Sequence, residues 1–295
     1  MMHNERFFDQ VLHLIDQDQA PAGLLMLAGG LHLAHQQGGG WPETMATLRS
    51  HPLFASLQHD PLNAYCVSRP RGYPGDAALI DVFYDQRPPH PPKTALGGKL
   101  FEVSIAFSTA EAVRQRRVHA EGVLAAALRQ GKRICVLACG HFREADAFKG
   151  QDLSLVTLVD QDPLSLDVVR ATHGSSPTIV EANVFRYLRS ARGQGAQFDL
   201  IYTLGLTDYL DDRAMTLLHR LMRDILAPGG TILLANFLTA HLSAGWMEAV
   251  MDWTLIYREA DDLAGFARAV GLVPRTWRDQ TNSVVWCNMI DEVET

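Results

Sequence analysis

From about residue 110 onward, short apolar runs rich in β-branched residues alternate with longer amphipathic runs, and that alternation confines the chain to βαβ units wound into a parallel sheet. Five strands are expected in order: Arg133 to Ala138, Leu155 to Asp160, Thr178 to Ala182, Phe198 to Leu204 and Thr231 to Asn236. Ahead of the first, Ser108 and Glu111 have the spacing of a capping box for a helix that passes through Val113, Val123, Leu124 and Leu128 and stops near Gly131. Between the fourth and fifth, Met215, Leu217, Leu218, Leu221, Met222, Ile225 and Leu226 recur at helical spacing behind Asp211 and Asp212, which suit a cap. Pro228-Gly229-Gly230 then reads as a turn back into the sheet. A helix over Asp261 to Val270, ended by Gly271, and two runs, Leu272 to Trp277 and Ser283 to Met289, close the chain as an antiparallel hairpin at the sheet edge.

Residues 1–107 follow another pattern. Helical stretches such as Phe7 to Ile15 and Ala22 to His35 are broken by Gly38 to Gly40 and by the proline-rich loop Arg87 to Lys93, and no strand ladder is visible. This part is expected to form a helical cap or lid and substrate-binding region over the carboxyl ends of the strands, with residues 108–295 as the α/β domain.

Charge narrows the partners. Lys and Arg number 26 against 33 Asp and Glu, a formal net charge of -7, so the chain has no general attraction for a polyanion and a nucleic-acid substrate is disfavoured. Four cysteines are few for 295 residues, and Cys135 and Cys139, on or after a strand, have no matching His or Cys pair at metal-ligand spacing. No metal is expected. The polar, acidic start of the chain differs from a secretory signal and no apolar run reaches membrane-spanning length, so a cytoplasmic protein is expected.

The first strand leads into Ala138-Cys139-Gly140-His141-Phe142-Arg143-Glu144, a strand, tight turn and helix start where a Rossmann-like fold holds a nucleotide. Of a Gly-x-Gly-x-Gly pattern only Gly140 is present, with Ala138 and Phe142 in the flanking slots. Asp160 closes the second strand about twenty residues later, the interval at which an acid meets a ribose diol; the alternative is a cap for the following helix. Asn183, at the end of the third strand, offers an amide to an adenine amino group or simply forms a turn.

The order of glycine turn, Asp160, Asn183, Phe198-Asp199-Leu200-Ile201-Tyr202-Thr203-Leu204-Gly205-Leu206-Thr207-Asp208-Tyr209-Leu210 and Ala227-Pro228-Gly229-Gly230 resembles the class I S-adenosylmethionine-dependent methyltransferases over residues 110–295. The resemblance implies a doubly wound, Rossmann-like α/β sheet of seven strands with the last antiparallel, and S-adenosyl-L-methionine as cofactor. Carried over by position, Ala138 and Gly140 back the methionine moiety, Asp160 takes the ribose, Asn183 and Val184 the adenine, and Tyr202 to Gly205, including Thr203 and Leu204, wall the methyl group. His141, Glu144 and Gln161 complete the expected cofactor set. One departure is plain: Val136 stands where many members carry an acid, so the cofactor's amino group must be held differently. A finer resemblance, to bacterial enzymes of the type that make methyl 3-hydroxypalmitate, rests on Arg71-Gly72-Tyr73-Pro74-Gly75-Asp76, Val113-Arg114-Gln115-Arg116-Arg117, Gly205 to Leu210 and Asp252-Trp253-Thr254-Leu255-Ile256-Tyr257-Arg258.

These segments supply the acceptor-side candidates. Two glycines and a proline would fix Tyr73 and Asp76 rigidly ahead of a helix over Ala77 to Tyr84, with Asp76 also suited to cap it. The arginines of the 113–117 run are expected on a solvated helix face, with Arg114 placed to hold a carboxylate. Trp253 and Tyr257, spaced i, i+4, would share one helical face and either wall the pocket or pack. A carboxylate acceptor is already nucleophilic at pH 7, whereas an amine or hydroxyl needs a base, for which Asp208, Tyr73, His141 and His241 qualify. Tyr73, Asp76 and Asp208 are thus the catalytic candidates, and Arg71, Arg114, His241, Trp253 and Tyr257 the substrate-binding ones. The expected partner is a small-molecule acceptor, with a homodimer admissible. The competing readings are an NAD-dependent dehydrogenase, which would want more glycines in the turn, and a non-catalytic S-adenosylmethionine-binding protein.

Overall fold

The computed structural model describes residues 2–292 and divides into two compact units. One comprises the chain up to Arg114 together with Ala240–Thr254, and the other Gln115–Thr239 together with the residues from Leu255 onward. Each is described by itself.

The second unit holds a seven-stranded sheet in the order β3-β2-β1-β4-β5-β7-β6. Its strands are β1 Ile134–Leu137, β2 Val156–Asp160, β3 Thr178–Glu181, β4 Phe198–Thr203, β5 Leu226–Phe237, β6 Val273–Arg278 and β7 Val284–Ile290. β1 to β5 pair in parallel, while β7 runs antiparallel to both β5 and β6. This is the doubly wound sheet with an antiparallel last strand that the sequence implied. The antiparallel hairpin lies at the sheet edge as expected, with β7 between β5 and the outermost β6. Val285, Cys287 and Met289 are fully buried beside Ile232 and Leu234, which is why the final strand lies inside the sheet.

Two local expectations need correction. Pro228-Gly229-Gly230 lies within β5, where the pairing with β4 shifts register between Phe198 and Leu200; Gly229 at φ +71° takes the left-handed backbone and the segment is a bulge rather than a separate turn. Residues 251–259 form no helix, so Trp253 and Tyr257 share no helical face, and the two fall in different units.

The first unit is helical, and its helices start where prolines and capping side chains permit. Pro21, Pro42, Pro52 and Pro61 occupy first-turn positions, where a missing N–H costs nothing. Asp60, Asp76 and Thr94 cap Pro61–Ser68, Ala77–Asp85 and Ala95–Ser104 by accepting from Leu62, Leu79 and Gly97. Ala240–Thr254 joins this unit through Glu248, which accepts from the Trp41 indole at 2.8 Å and whose carbonyl accepts from Arg49 at 2.7 Å. Gly245 is required there, because a β-carbon would come within 2.5 Å of the Leu31 carbonyl oxygen.

Candidate functional site

In an open α/β sheet the ligand crevice lies outside the carboxyl ends of the strands where their order reverses, here between β1 and β4. After β1 the backbone of Ala138, Gly140 and Phe142 takes φ of +52° at all three positions. Only glycine enters this region freely; for Ala138 and Phe142 it costs roughly 1 to 2 kcal/mol each. The turn is held by its surroundings: the Cys139 N–H donates to the Val159 carbonyl, the Phe142 N–H to the Cys139 carbonyl, and the buried Phe142 ring packs edge-on against His173. Left-handed backbone thus persists in the glycine slots although two of the glycines are gone.

Asp160 secures the same turn. One carboxylate oxygen accepts from the Gly140 N–H at 2.8 Å and the other from the Asp162 N–H at 2.9 Å. Burial raises its pKa, and those two backbone donors draw it back. The helix Pro163–His173 is capped by Asp162, whose side chain accepts from Leu164 and from the Ser165 hydroxyl, so the capping alternative for Asp160 is set aside. Asn183 does cap the next helix: its Oδ1 accepts from Phe185 and Arg186 ahead of buried Val184, and its Nδ2 lies 3.5 Å from Oε1 of exposed Gln161.

Val136 pairs with Tyr202 in register, so their side chains share a sheet face, and the Tyr202 hydroxyl donates to Glu144 Oε1 at 2.9 Å. Glu144 is buried on the 3₁₀ turn Arg143–Phe148; burial raises its carboxyl pKa, with Tyr202, Arg117 and Arg116 acting against that rise. His141, just ahead of that turn, is buried as well.

At the end of β4, Thr203 is fully buried and its hydroxyl has no hydrogen-bond partner among the described residues. Leu204 and exposed Gly205 follow, and the Leu204 carbonyl accepts from Arg116 Nη1 at 2.6 Å. This overturns the solvated-face expectation for Arg116: it is 5% exposed and its guanidinium lies 5.8 Å from the centre of the Phe237 ring. The signal was in the spacing, since Ala112, Val113, Arg116, Ala120, Leu124 and Ala127 are all buried along one stripe of the helix Ser108–Arg129. Arg114, by contrast, donates to Glu111 and to the Phe83 and Ile105 carbonyls, and Arg117 faces Asp146 at 3.3 Å.

Asp208, on the short turn Thr207–Tyr209, is 2% exposed and accepts from the Phe237 N–H at 2.7 Å. Burial pushes its pKa up to about 6, against the pull of Arg116 and Arg258. Folding therefore favours the protonated form, which predominates below about pH 6 and gives way to the carboxylate above it. Stability from this group is complete below the unfolded value of 3.8 and lost as pH rises through about 6. Asp208→Asn keeps the acceptor for Phe237 and removes the charge. Its stability relative to the parent should rise by about 2 kcal/mol between pH 4 and 7 and then level off, as followed by urea unfolding at several pH values. A difference curve flat across that window excludes a raised Asp208 pKa.

The remaining candidates fall in the helical unit, apart from half-buried Tyr257 in the sheet unit. The turn at Arg71 to Asp76 forms as expected, with Gly72 and Gly75 at φ of +87° and +77°. Tyr73 on it is exposed, and Asp76, 1% exposed, accepts from the Leu79 N–H and the Tyr65 hydroxyl. Trp253 is buried and stacks on Phe83. His241 is buried, and desolvation, with His35 adding to it, pushes its pKa down to about 3, so it is neutral at pH 7 and a weak base there.

No protein-family model and no curated protein matches the chain. Solved structures do. A protein of Bordetella parapertussis, described as a possible exported protein, aligns over 94% of this chain and 99% of its own at 18% identity and a TM-score of 0.60. Magnesium protoporphyrin IX methyltransferase from Synechocystis, solved with bound SAH, aligns over 62% of this chain and 87% of its own at 12% identity and a TM-score of 0.48. An O-methyltransferase family protein from Burkholderia thailandensis aligns over 65% and 61% at 19% identity and a TM-score of 0.45. The Bordetella likeness spans nearly the whole chain and shows a shared fold. No helix among the described residues is long and apolar enough to cross a membrane.

Proposed function

We propose that the chain is an S-adenosylmethionine-dependent methyltransferase acting on a small-molecule acceptor. The observation that carries this reading is the left-handed turn after β1, tied by its Gly140 N–H to a buried acid at the end of β2, at the point where the strand order reverses. The donor set fits the cofactor. Each Asp160 oxygen accepts one backbone N–H and keeps a further lone pair, so the pair can still accept from a vicinal diol. Ala138 and Gly140 would back the amino-acid portion, Glu144 would face its ammonium group, and Asn183 and Val184 would border the adenine. Thr203, Leu204 and Gly205 would lie along the reacting end. When bound, the sulfonium supplies an electrophilic methyl group to a nucleophile placed in line with it.

The chain's own contribution is alignment and exclusion of water, which buried Tyr202 and Phe237 provide at the strand ends. Asp208, with a pKa near 6, is suited to hold a proton from a hydroxyl or amine acceptor. Isothermal titration tests the reading: SAH should bind saturably and NAD should not, and an acceptor screen with labelled cofactor should then give a methylated product by mass spectrometry. Binding of NAD without SAH would falsify it, and SAH binding with no product across the screen would leave a binding protein instead.

A further inference from the structure

The strongest unexplained feature of the sheet unit is Arg116. A guanidinium carries five N–H donors and a charge that is expensive to bury without partners. Arg116 is buried to 95% by exposure of the whole residue, yet its Nη1 donates to a neutral carbonyl, that of Leu204, rather than to a carboxylate. Its Nε is fully buried and has no hydrogen-bond partner among the described residues. Nothing around it needs an arginine for packing: one face lies toward the Phe237 ring, where an apolar side chain would serve. Asp208 and Glu144 are close enough to feel its charge, but the Asp208 carboxylate accepts from the Phe237 N–H and the Glu144 carboxylate from Tyr202.

Geometry says what is missing. With Nη1 spent on Leu204, the edge left to this guanidinium is the one formed by Nε and Nη2, the two parallel donors that fork onto a planar carboxylate. A β-carbon at Gly205 would lie 3.9 Å from Nη2, and Gly205 is exposed, so the Nη2 end of that edge lies beside a residue with no side chain in the way, while Nε sits behind it in the interior. We infer that Arg116 is a carboxylate anchor of the ligand site, receiving a ligand carboxylate on its Nε and Nη2 edge at the carboxyl end of β4. It takes over the role expected of Arg114, whose Nε donates to Glu111 and whose Nη1 donates to the carbonyls of Phe83 and Ile105.

The carboxylate has two sources, the amino-acid tail of the cofactor or the acceptor, and only the first rests on the methyl-transfer reading. The test measures binding by the wild type, Arg116→Gln and Arg116→Lys in two arms. One arm compares SAH with 5′-methylthioadenosine, which has the same nucleoside thioether and no carboxylate. The other compares octanoate with octanamide and benzoate with benzamide, in the absence of any nucleoside. The wild type should prefer the carboxylate member by at least about tenfold in one arm, Arg116→Gln should erase that preference and Arg116→Lys should keep part of it. Preference in the first arm assigns the anchor to the cofactor tail, and in the second to the acceptor. Should the variants melt, ¹⁵N-arginine spectra of the wild type still decide: one Nε–H resonance should shift with the carboxylate member and stay with its neutral partner. A wild type with no carboxylate preference in either arm, or a preference that survives in Arg116→Gln, overturns the inference. Failure of both nucleosides to bind while the acid arm responds overturns the cofactor reading alone.

Discussion

Arg258→Met is expected to destabilise the chain by about 3 kcal/mol or more, a fall of roughly 6 to 12 °C in melting temperature for an α/β unit of this size. Arg258 is 3% exposed, and Nη1 donates to the Thr207 carbonyl at 2.8 Å while Nη2 donates to the Leu210 carbonyl. Its ion pair with Asp212 adds little, since that carboxylate is on the surface. The substitution preserves much of the side-chain volume, so the loss comes from polar groups stranded in the interior: two carbonyls, and Asp208, whose charge Arg258 helps to offset. The Arg258 N–H also donates to the Phe237 carbonyl and the Ile256 N–H to the Asp208 carbonyl, so the returning chain at 256–258 is laced onto the segment after β4. The loss should shrink in an Asp208→Asn background, where no buried carboxylate is left uncompensated, and a thermal melt of the four-member cycle reads that coupling. Fully additive losses would mean that Arg258 supports only the carbonyls.

Arg258 also marks a limit of the sequence. It stands at the end of Asp252-Trp253-Thr254-Leu255-Ile256-Tyr257-Arg258, where the i, i+4 spacing of two aromatics suggested a helix. The segment instead has no regular secondary structure, because its backbone bonds across the chain, Ile256 with Asp208 and Asn236, and Arg258 with Phe237. Such long-range bonds override a local period and leave no trace in it. The sheet was legible for the opposite reason: buried parallel strands are continuous apolar runs, and Ile134, Cys135, Val136 and Leu137 are all buried, as an apolar run directly behind Lys132 and Arg133 implies.

The site was legible where backbone geometry forces a residue type and hidden where it does not. The turn at Arg71 to Asp76 announced itself through Gly72 and Gly75, both of which adopt positive φ. The turn after β1 concealed itself, because Ala138 and Phe142 take the same conformation without being glycine. Arg116 was misread because three arginines within four residues look like a solvated face, although only the middle one lies on the apolar stripe. Glu144 was placed near the cofactor by resemblance, but its bond to Tyr202, the β4 partner of Val136, joins residues far apart in the chain and no local pattern encodes it.

Asp160→Ala is expected to lower SAH affinity by about 1 to 3 kcal/mol, or roughly five- to 150-fold. Spacing alone puts Asp160 at the ribose, but the carboxylate also has duties within the fold. Asp160 has partners, the N–H groups of Gly140 and Asp162, so the alanine variant also frees the turn that borders the crevice and should lose stability as well as affinity. Asp160→Asn separates the two roles. Its amide oxygen can keep one of the backbone donors, whereas its NH₂ group cannot accept a hydroxyl, so melting temperature should recover most of the way while SAH affinity stays low. The deoxy analogue completes the argument: removing both ribose hydroxyls from the ligand should cost the wild type about as much as Asp160→Asn costs with intact SAH, and the two changes together should cost little more than either alone. Losses that add in full would take Asp160 off the ribose and leave it as the clamp of the turn.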